Sequence, residues 1–111
     1  MLPAARRLTD ADRFRQAIRE GRRAGSPTLV VHLGDHEPAA TAQVGLVVNR
    51  AVGNAVHRNR VKRRLRHLAA ERVSALPTSA VLVIRALPPA GSASYAELRT
   101  DLDRCLTRVT S

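Results

Sequence analysis

VGLVVNRAVGNAVHRNRVKRRLRHLAA, residues Val44 to Ala70, changes periodicity partway along. Its first part belongs to "AQVGLVVN", Ala42 to Asn49, a β-branched run of the kind that forms strands. From Asn54 onward the period is helical. Val61, Leu65, Leu68 and Ala69 fall on one side, with Leu76 extending the stripe. At about 100° per residue the opposite side carries Asn59, Arg63, Arg66 and His67. Arg60 and Arg64 lie on one flank and Lys62 on the other. A strand therefore feeds a helix that docks through aliphatic side chains and presents cations outward. Between Arg58 and Ala69 no ionisable side chain is acidic. Like charges at i, i+4, such as Arg60 and Arg64, destabilise an isolated helix by roughly a few tenths of a kcal/mol per pair. A merely solvated face usually mixes signs, so a face of one sign implies an anionic partner.

The composition agrees. The chain has 111 residues, enough for one domain with a real core, and 44% of them are hydrophobic. Aromatics are confined to Phe14 and Tyr95, so that core is aliphatic. The formal net charge is +10, and of 19 basic residues all but Lys62 are arginine, the cation suited to bidentate phosphate contacts. The charge is segmented: seven basic residues lie in Arg6–Arg23, none in Ala24–Asn49, and eight in Arg50–Arg72. Beyond that, Arg85, Arg99, Arg104 and Arg108 are nearly matched by Glu97, Asp101 and Asp103. Such blocks point to nucleic acid. Cys105 is the sole cysteine, which rules out an internal disulfide framework. No apolar run approaches the roughly 20 residues of a membrane span, and the N-terminus lacks the apolar region of a signal peptide. These features predict a cytoplasmic protein.

Further elements flank this run. Thr9 and Asp12 fit a capping box opening a first helix, with Phe14, Ala17 and Ile18 on one face and Gly21 as the stop. "TLVVHL", Thr28 to Leu33, reads as a strand, and a short extra strand fits Arg22 to Ala24. "AVLVIRA", Ala80 to Ala86, is almost wholly apolar and predicts a central strand covered on both faces. Gly34 to Ala42 and Leu87 to Ser94 read as loops. Ser94 and Glu97 form another capping box, opening a final helix with Leu98, Leu102, Cys105, Leu106 and Val109 as its apolar stripe. The expected order is α-β-β-β-α-β-α: an α+β chain, residues 1–111 forming a single domain, an α/β sandwich of three helices on a small sheet.

All three asparagines, Asn49, Asn54 and Asn59, lie near the basic helix. Asn54 after Gly53 suits a turn and a helix cap. Asn59 lies inside the helix on its charged face, where Asn costs helix propensity. Its amide offers both donor and acceptor to a phosphate, ribose or base edge.

Residues Val44 to His67 resemble the RNR signature of the bacterial ribonuclease P protein family. Gly53, Asn54, Ala55, Val56, Arg58, Asn59, Arg60, Val61, Lys62 and Arg63 match that pattern position by position. A basic N-terminus, the "DRF" of the first helix, a strand ending near His32 and the "SYAEL" opening the last helix extend the likeness. There are two departures at the motif, Asn49 where the family often has Ser and Ala51 where it often has Lys. The family's cleft also tends to display several aromatics, of which only Phe14 remains, with Ile18 and His32 at the other positions, so base stacking is expected to be weaker, with the His32 ring a partial substitute.

The resemblance implies a left-handed βαβ crossover carrying the RNR helix, against the right-handed preference of such units. It implies a catalytic RNA as partner, which holds the active site and its Mg²⁺ and removes the 5′ leader of precursor tRNA by hydrolysis. Arg50, Asn54, Arg58, Asn59, Arg60, Lys62, Arg63, Arg64, Arg66 and His67 would contact RNA. Phe14, Ile18, His32 and Asn49 would line the cleft for the single-stranded leader. No membrane and no obligate protein partner are implied. The residues themselves show no catalytic constellation. His32, His36, His57 and His67 share no metal-ligand spacing with Cys105 or a carboxylate cluster. Asp35, His36 and Glu37 read as a solvated loop, and Asp101 and Asp103 do not face each other on a helix. Cys105 reads as core. A helix-turn-helix or zipper is absent, and the helix lacks the bulky aromatic face of a membrane-surface helix. The alternative that fits the charge is a ribosomal-type structural RNA-binding protein.

Overall fold

The computed structural model describes residues 2–35 and 41–111. Its elements run α1 (Ala11–Glu20), β1 (Arg22–Gly25), β2 (Leu29–Asp35), β3 (Gln43–Val47), α2 (Ala55–Arg72), β4 (Ala80–Ala86) and α3 (Tyr95–Thr110). This is the expected order, with the short β1 included. Single 3-10 turns at Arg50–Val52, Val73–Ala75 and Pro88–Gly91 complete the connections around α2 and β4. No described helix is long and apolar enough to cross a membrane. His36 and Glu37 lie outside the described residues.

The strands are ordered β1-β2-β4-β3. The most apolar strand, β4, sits inside the sheet, antiparallel to β2 and parallel to β3. Helix α2 is thus the crossover between two neighbouring parallel strands. Chain before α1 covers the outer side of β3: Arg7 bridges to Val44, and the Leu8 N–H donates to the Val44 carbonyl at 2.8 Å. An edge capped in this way is less open to pairing with another chain.

Alternation along the strands divides the core in two. On one face Leu29, Val31, Val44, Leu82 and Ile84 meet Val61, Leu65 and Leu68 of α2 and Leu98, Leu102 and Cys105 of α3. On the other, Val81 and Val83 pack with Leu8 and Ala17, and the half-buried Phe14 and Val47 close the cluster. The Phe14 ring rests directly on the backbone of Gly45, where a β-carbon would overlap Cζ. No larger residue fits at Gly45 unless that ring moves.

Several boundaries differ from those expected. The N-cap of α1 is Asp10 rather than Thr9, and no Thr9–Asp12 box forms. The Asp10 carboxylate accepts from the Asp12 and Arg13 N–H groups at 2.8 and 3.4 Å, while the Asp12 side chain pairs with Arg15. A carboxylate is the stronger acceptor and also complements the helix dipole. Strand β3 stops at Val47, short of Asn49, because the Asn49 side chain accepts from the Ala51 N–H and starts the next turn. Helix α2 ends at Arg72; Leu76 follows a separate turn yet still packs on the main core. The Ser94–Glu97 capping box and the Gly21 stop form as the sequence implies.

A buried tie between α3 and the start of β2 has no signature in the sequence. Asp101 is 8% exposed, and its Oδ2 accepts from the Thr28 N–H at 3.1 Å and the Thr28 hydroxyl at 2.5 Å. Asp101→Ala leaves both donors buried without an acceptor, a loss of about 1–3 kcal/mol. Chemical unfolding is expected to show that loss, with Asp101→Asn retaining part of the native stability. An unchanged unfolding midpoint for Asp101→Ala would contradict this assignment.

Candidate nucleic-acid interface

Helix α2 forms where it does because its N-terminus is capped and its stripe is buried. Asn54 is the N-cap: its Oδ1 accepts from the His57 N–H at 3.0 Å and lies 2.8 Å from His57 Nδ1. Gly53 immediately before it has φ 148°, a region L side chains rarely adopt, and a β-carbon there would stand 3.0 Å from His57 Cβ. Val61, Leu65, Leu68 and Ala69 are buried, as their spacing predicts.

The outward side matches the sequence pattern: Asn59, Arg63, Arg66 and His67 are exposed. The flanks are different, since Arg58, Arg60, Lys62 and Arg64 are half-buried. Two of these hold the loop that follows β4. Arg60 donates to the Gly91 carbonyl at 3.2 Å and Arg64 to the Ala93 carbonyl at 3.1 Å. A carbonyl positions a guanidinium without neutralising it. The Nε atoms of Arg58 and Arg60 are buried with no partner, which is unusual for buried donors.

At the far end of α2 the charge is balanced. His67 Nε2 lies 3.6 Å from Glu71, and its ring centroid is 6.1 Å from that of Tyr95. Arg72 makes a bidentate bond to Asp103 on α3, Nε–Oδ1 at 2.5 Å and a terminal nitrogen to Oδ2 at 3.1 Å. The Arg72 hydrogen bond holds the Asp103 carboxyl below its ordinary range. The first turn of α2 contains no acid, so its positive dipole end adds to Arg50, Arg58 and Arg60 rather than being offset. Positive potential is therefore concentrated toward the helix N-terminus. Val56, at 72% exposure, stands in the same region as an apolar side chain open to solvent. Helical spacing alone did not single it out as exposed.

The four residues expected in a cleft lie on three elements: α1, β2 and the turn before α2. Phe14 and Ile18 belong to α1, Ile18 being 37% exposed. Asn49 and Arg50, both exposed, mark the turn between β3 and α2. His32 differs from the expectation that it could offer a ring face in place of an aromatic: it is 2% exposed. Both ring nitrogens lack a partner. Its strand neighbours place it between Arg23 on β1 and Val83 on β4, with Arg85 on the same sheet face. Burial first, then Arg85 and Arg23, push the His32 imidazole below its ordinary value of 6.5. Strand register was needed to find these two arginines, since they are remote from His32 in sequence. Among the described residues no three His, Cys, Asp or Glu side chains come together as a metal site.

The sequence model of the family described as Ribonuclease P matches residues 2–110. The chain is 69% identical to the ribonuclease P protein component of a Nocardioides species, over 98% of this chain and 95% of that one. It is 51% identical to the counterpart from Streptomyces bikiniensis, with the same coverage of each chain. Among solved structures it resembles an RNase P protein mutant from Staphylococcus aureus, with TM-score 0.86 and 21% identity over 96% of this chain and 89% of that one. The RNase P protein of Thermotoga maritima is similar in fold at TM-score 0.74 and 22% identity, over 88% and 92% of the two chains.

The buried imidazole makes folding depend on pH. Unfolding restores its ordinary affinity for a proton, so the unfolded chain binds more protons between the folded value and 6.5. The stability gained by keeping the ring neutral is present above 6.5 and is lost as pH falls below it. Melting temperatures recorded through this range are expected to fall with acidity in the native chain and to fall less in His32→Phe. Parallel curves for the two proteins would contradict the buried neutral ring.

Proposed function

The chain belongs to the ribonuclease P protein family and is the protein component of that RNA-processing endoribonuclease; from this premise we propose how its surfaces divide the work. The exposed side of α2, acid-free from Ala55 to Ala70, binds the catalytic RNA. Asn59, Arg63 and Arg66 supply the direct contacts. Arg58, Arg60, Lys62 and Arg64 shape the flanks, and Asn54 and Arg50 extend the surface past the helix N-terminus. The observation that carries this reading is the burial of Val61, Leu65 and Leu68 directly behind exposed Arg63 and Arg66. Docking of the stripe fixes which way the cations point.

The 5′ leader of precursor tRNA passes between α1 and the turn before α2, beside Phe14, Ile18 and Asn49 and past the sheet face on which the buried His32 lies. Hydrolysis occurs in the RNA, with Mg²⁺ held there. The described protein residues do not fit that ion, because no three His, Cys, Asp or Glu side chains among them come together, and Asp101 and Asp103 are engaged by Thr28 and Arg72. The protein contributes electrostatic binding and orientation of substrate. A positively charged surface neutralises phosphates and releases counterions, which supplies affinity without sequence readout.

Leader removal by a bacterial catalytic RNA, measured with and without this chain, tests the assignment. Addition of the chain should raise the rate at limiting substrate, and the chain alone should leave precursor tRNA intact. Cleavage by RNA-free protein, or no effect on the RNA-catalysed rate, would contradict it.

Phe14 has two tasks in this arrangement, as it seals the smaller core and keeps part of its ring open. Phe14→Ala is expected to cost roughly 1–3 kcal/mol of stability, less than the ~3–5 of a fully buried Phe. It should also weaken binding of tRNA carrying a leader while sparing mature tRNA, since base stacking is worth about 1–3 kcal/mol. Unfolding curves measured beside the two affinities check both effects. Equal losses for the two RNAs in folded protein would leave Phe14 a packing residue only.

A further inference from the structure

We propose that an RNA phosphate bound on the sheet face at Arg23 and Arg85 drives uptake of a proton by His32, so that the single-stranded leader is held more tightly as pH falls. This rests on the leader-cleft reading above and adds a regulatory device to it. The geometry is a row across three strands: Arg23 of β1 pairs with His32 of β2, which pairs with Val83 of β4. Arg85 is two residues beyond Val83 and therefore projects from the same face. His32 is only 2% exposed, and neither ring nitrogen has a partner. Buried polar side chains are normally satisfied within the fold, and an unpartnered imidazole in a row with two arginines calls for a physical reason.

The charges around the ring explain why that ligand would be an anion. Arg85 and Arg23 both act against a proton on His32. No acid compensates from α1, the helix packed over this face. Its Asp12 is paired with Arg15, and its Glu20 accepts from Gln16 at 3.4 Å. Arg13 is bonded to Gln43 at 2.9 Å and lies near Asp10, and Arg19 is exposed. On β2 itself Asp35, at the strand end, accepts from Ser79.

An RNA phosphodiester engaged by the two guanidiniums would cancel the field that keeps the ring neutral. The unprotonated ring nitrogen then takes a proton from solvent, and no other bond is made or broken. Binding and protonation are linked and reciprocal, so anything that promotes one promotes the other. Two arginines alone would bind phosphate with little dependence on pH in this range, because guanidinium stays charged. The coupling therefore reads out His32 specifically.

Two measurements test it. In the isotope-labelled chain, the His32 ring resonance, assigned by its loss in His32→Phe, is titrated alone and with a short single-stranded oligoribonucleotide. The midpoint is expected below 6.5 in the free chain and shifted upward with RNA bound. Arg85→Gln should raise the free midpoint and shrink the RNA-induced shift. In the reconstituted holoenzyme, the affinity ratio of uncleavable precursor to mature tRNA is measured against pH. It should rise roughly three- to tenfold as pH falls across the imidazole range in wild type, and stay level in His32→Phe. A leader-dependent ratio that ignores pH, with an unmoved His32 midpoint while RNA is bound, overturns the coupling and leaves the cleft reading intact. A ratio of one at every pH overturns the cleft reading and the coupling with it.

Discussion

Repulsion among the cations of α2 is the constraint around which the molecule is arranged. A helix carrying Arg58, Arg60, Lys62, Arg63, Arg64 and Arg66 with no acid in its first turn is a poor helix by itself. Each like-charge pair costs roughly a few tenths of a kcal/mol, and the dipole at the N-terminus adds to the cost. Burial of Val61, Leu65 and Leu68 works in the other direction, at about 1.5–3 kcal/mol for each fully buried side chain. The packing term is larger. Thus α2 is helical because it lies on the sheet, and the sheet must offer it an uninterrupted aliphatic face. The apolar β4 and the aliphatic stripe of α3 supply that face.

The same constraint explains how individual arginines are treated. Arg72 is matched by a carboxylate on α3, which fastens the end of α2 facing away from the charge cluster. Arg60 and Arg64 are held by backbone carbonyls, so that they brace the Gly91–Ala93 loop with their charge retained. Arg63 and Arg66 have no protein acceptor among the described residues and remain exposed. The fold thus keeps acids off the outward face of α2 until its last turn, where Glu71 lies beside His67. The cation density left there is stable in solution only at some cost, and an RNA partner relieves it.

Much of this was legible in the sequence because it depends on short-range periodicity. The stripe Val61, Leu65, Leu68 and Ala69 and the opposing Asn59, Arg63, Arg66 and His67 follow from helical spacing alone. So do the interior position of β4, read from its unbroken apolar run, and the Ser94–Glu97 cap. Features that depend on distant partners were not visible. Asp101 looks like an exposed helical acid until Thr28 is brought beneath it. Arg60 and Arg64 look like surface cations until the loop after β4 folds over them. His32 looks like a substitute for an exposed aromatic, yet it is buried, and strand pairing sets it between Arg23 and Val83 with Arg85 on the same face. The Thr9–Asp12 box failed for a local reason: Asp10 is a better acceptor in the adjoining position.

The central claim is that the orientation of charge on α2, rather than net charge, makes this protein bind RNA. The salt dependence of binding to the catalytic RNA tests it directly, comparing Arg63→Ala/Arg66→Ala with Arg99→Ala/Arg104→Ala. Both double variants remove the same charge from exposed helical positions. Removing one cation that neutralises a phosphate lowers the slope of log K against log salt by roughly 0.7–0.9 units. A drop of between about one and two units, by the same approximate rule, is expected for the α2 pair and almost none for the α3 pair. Equal drops for the two would show that only total charge matters and would contradict it.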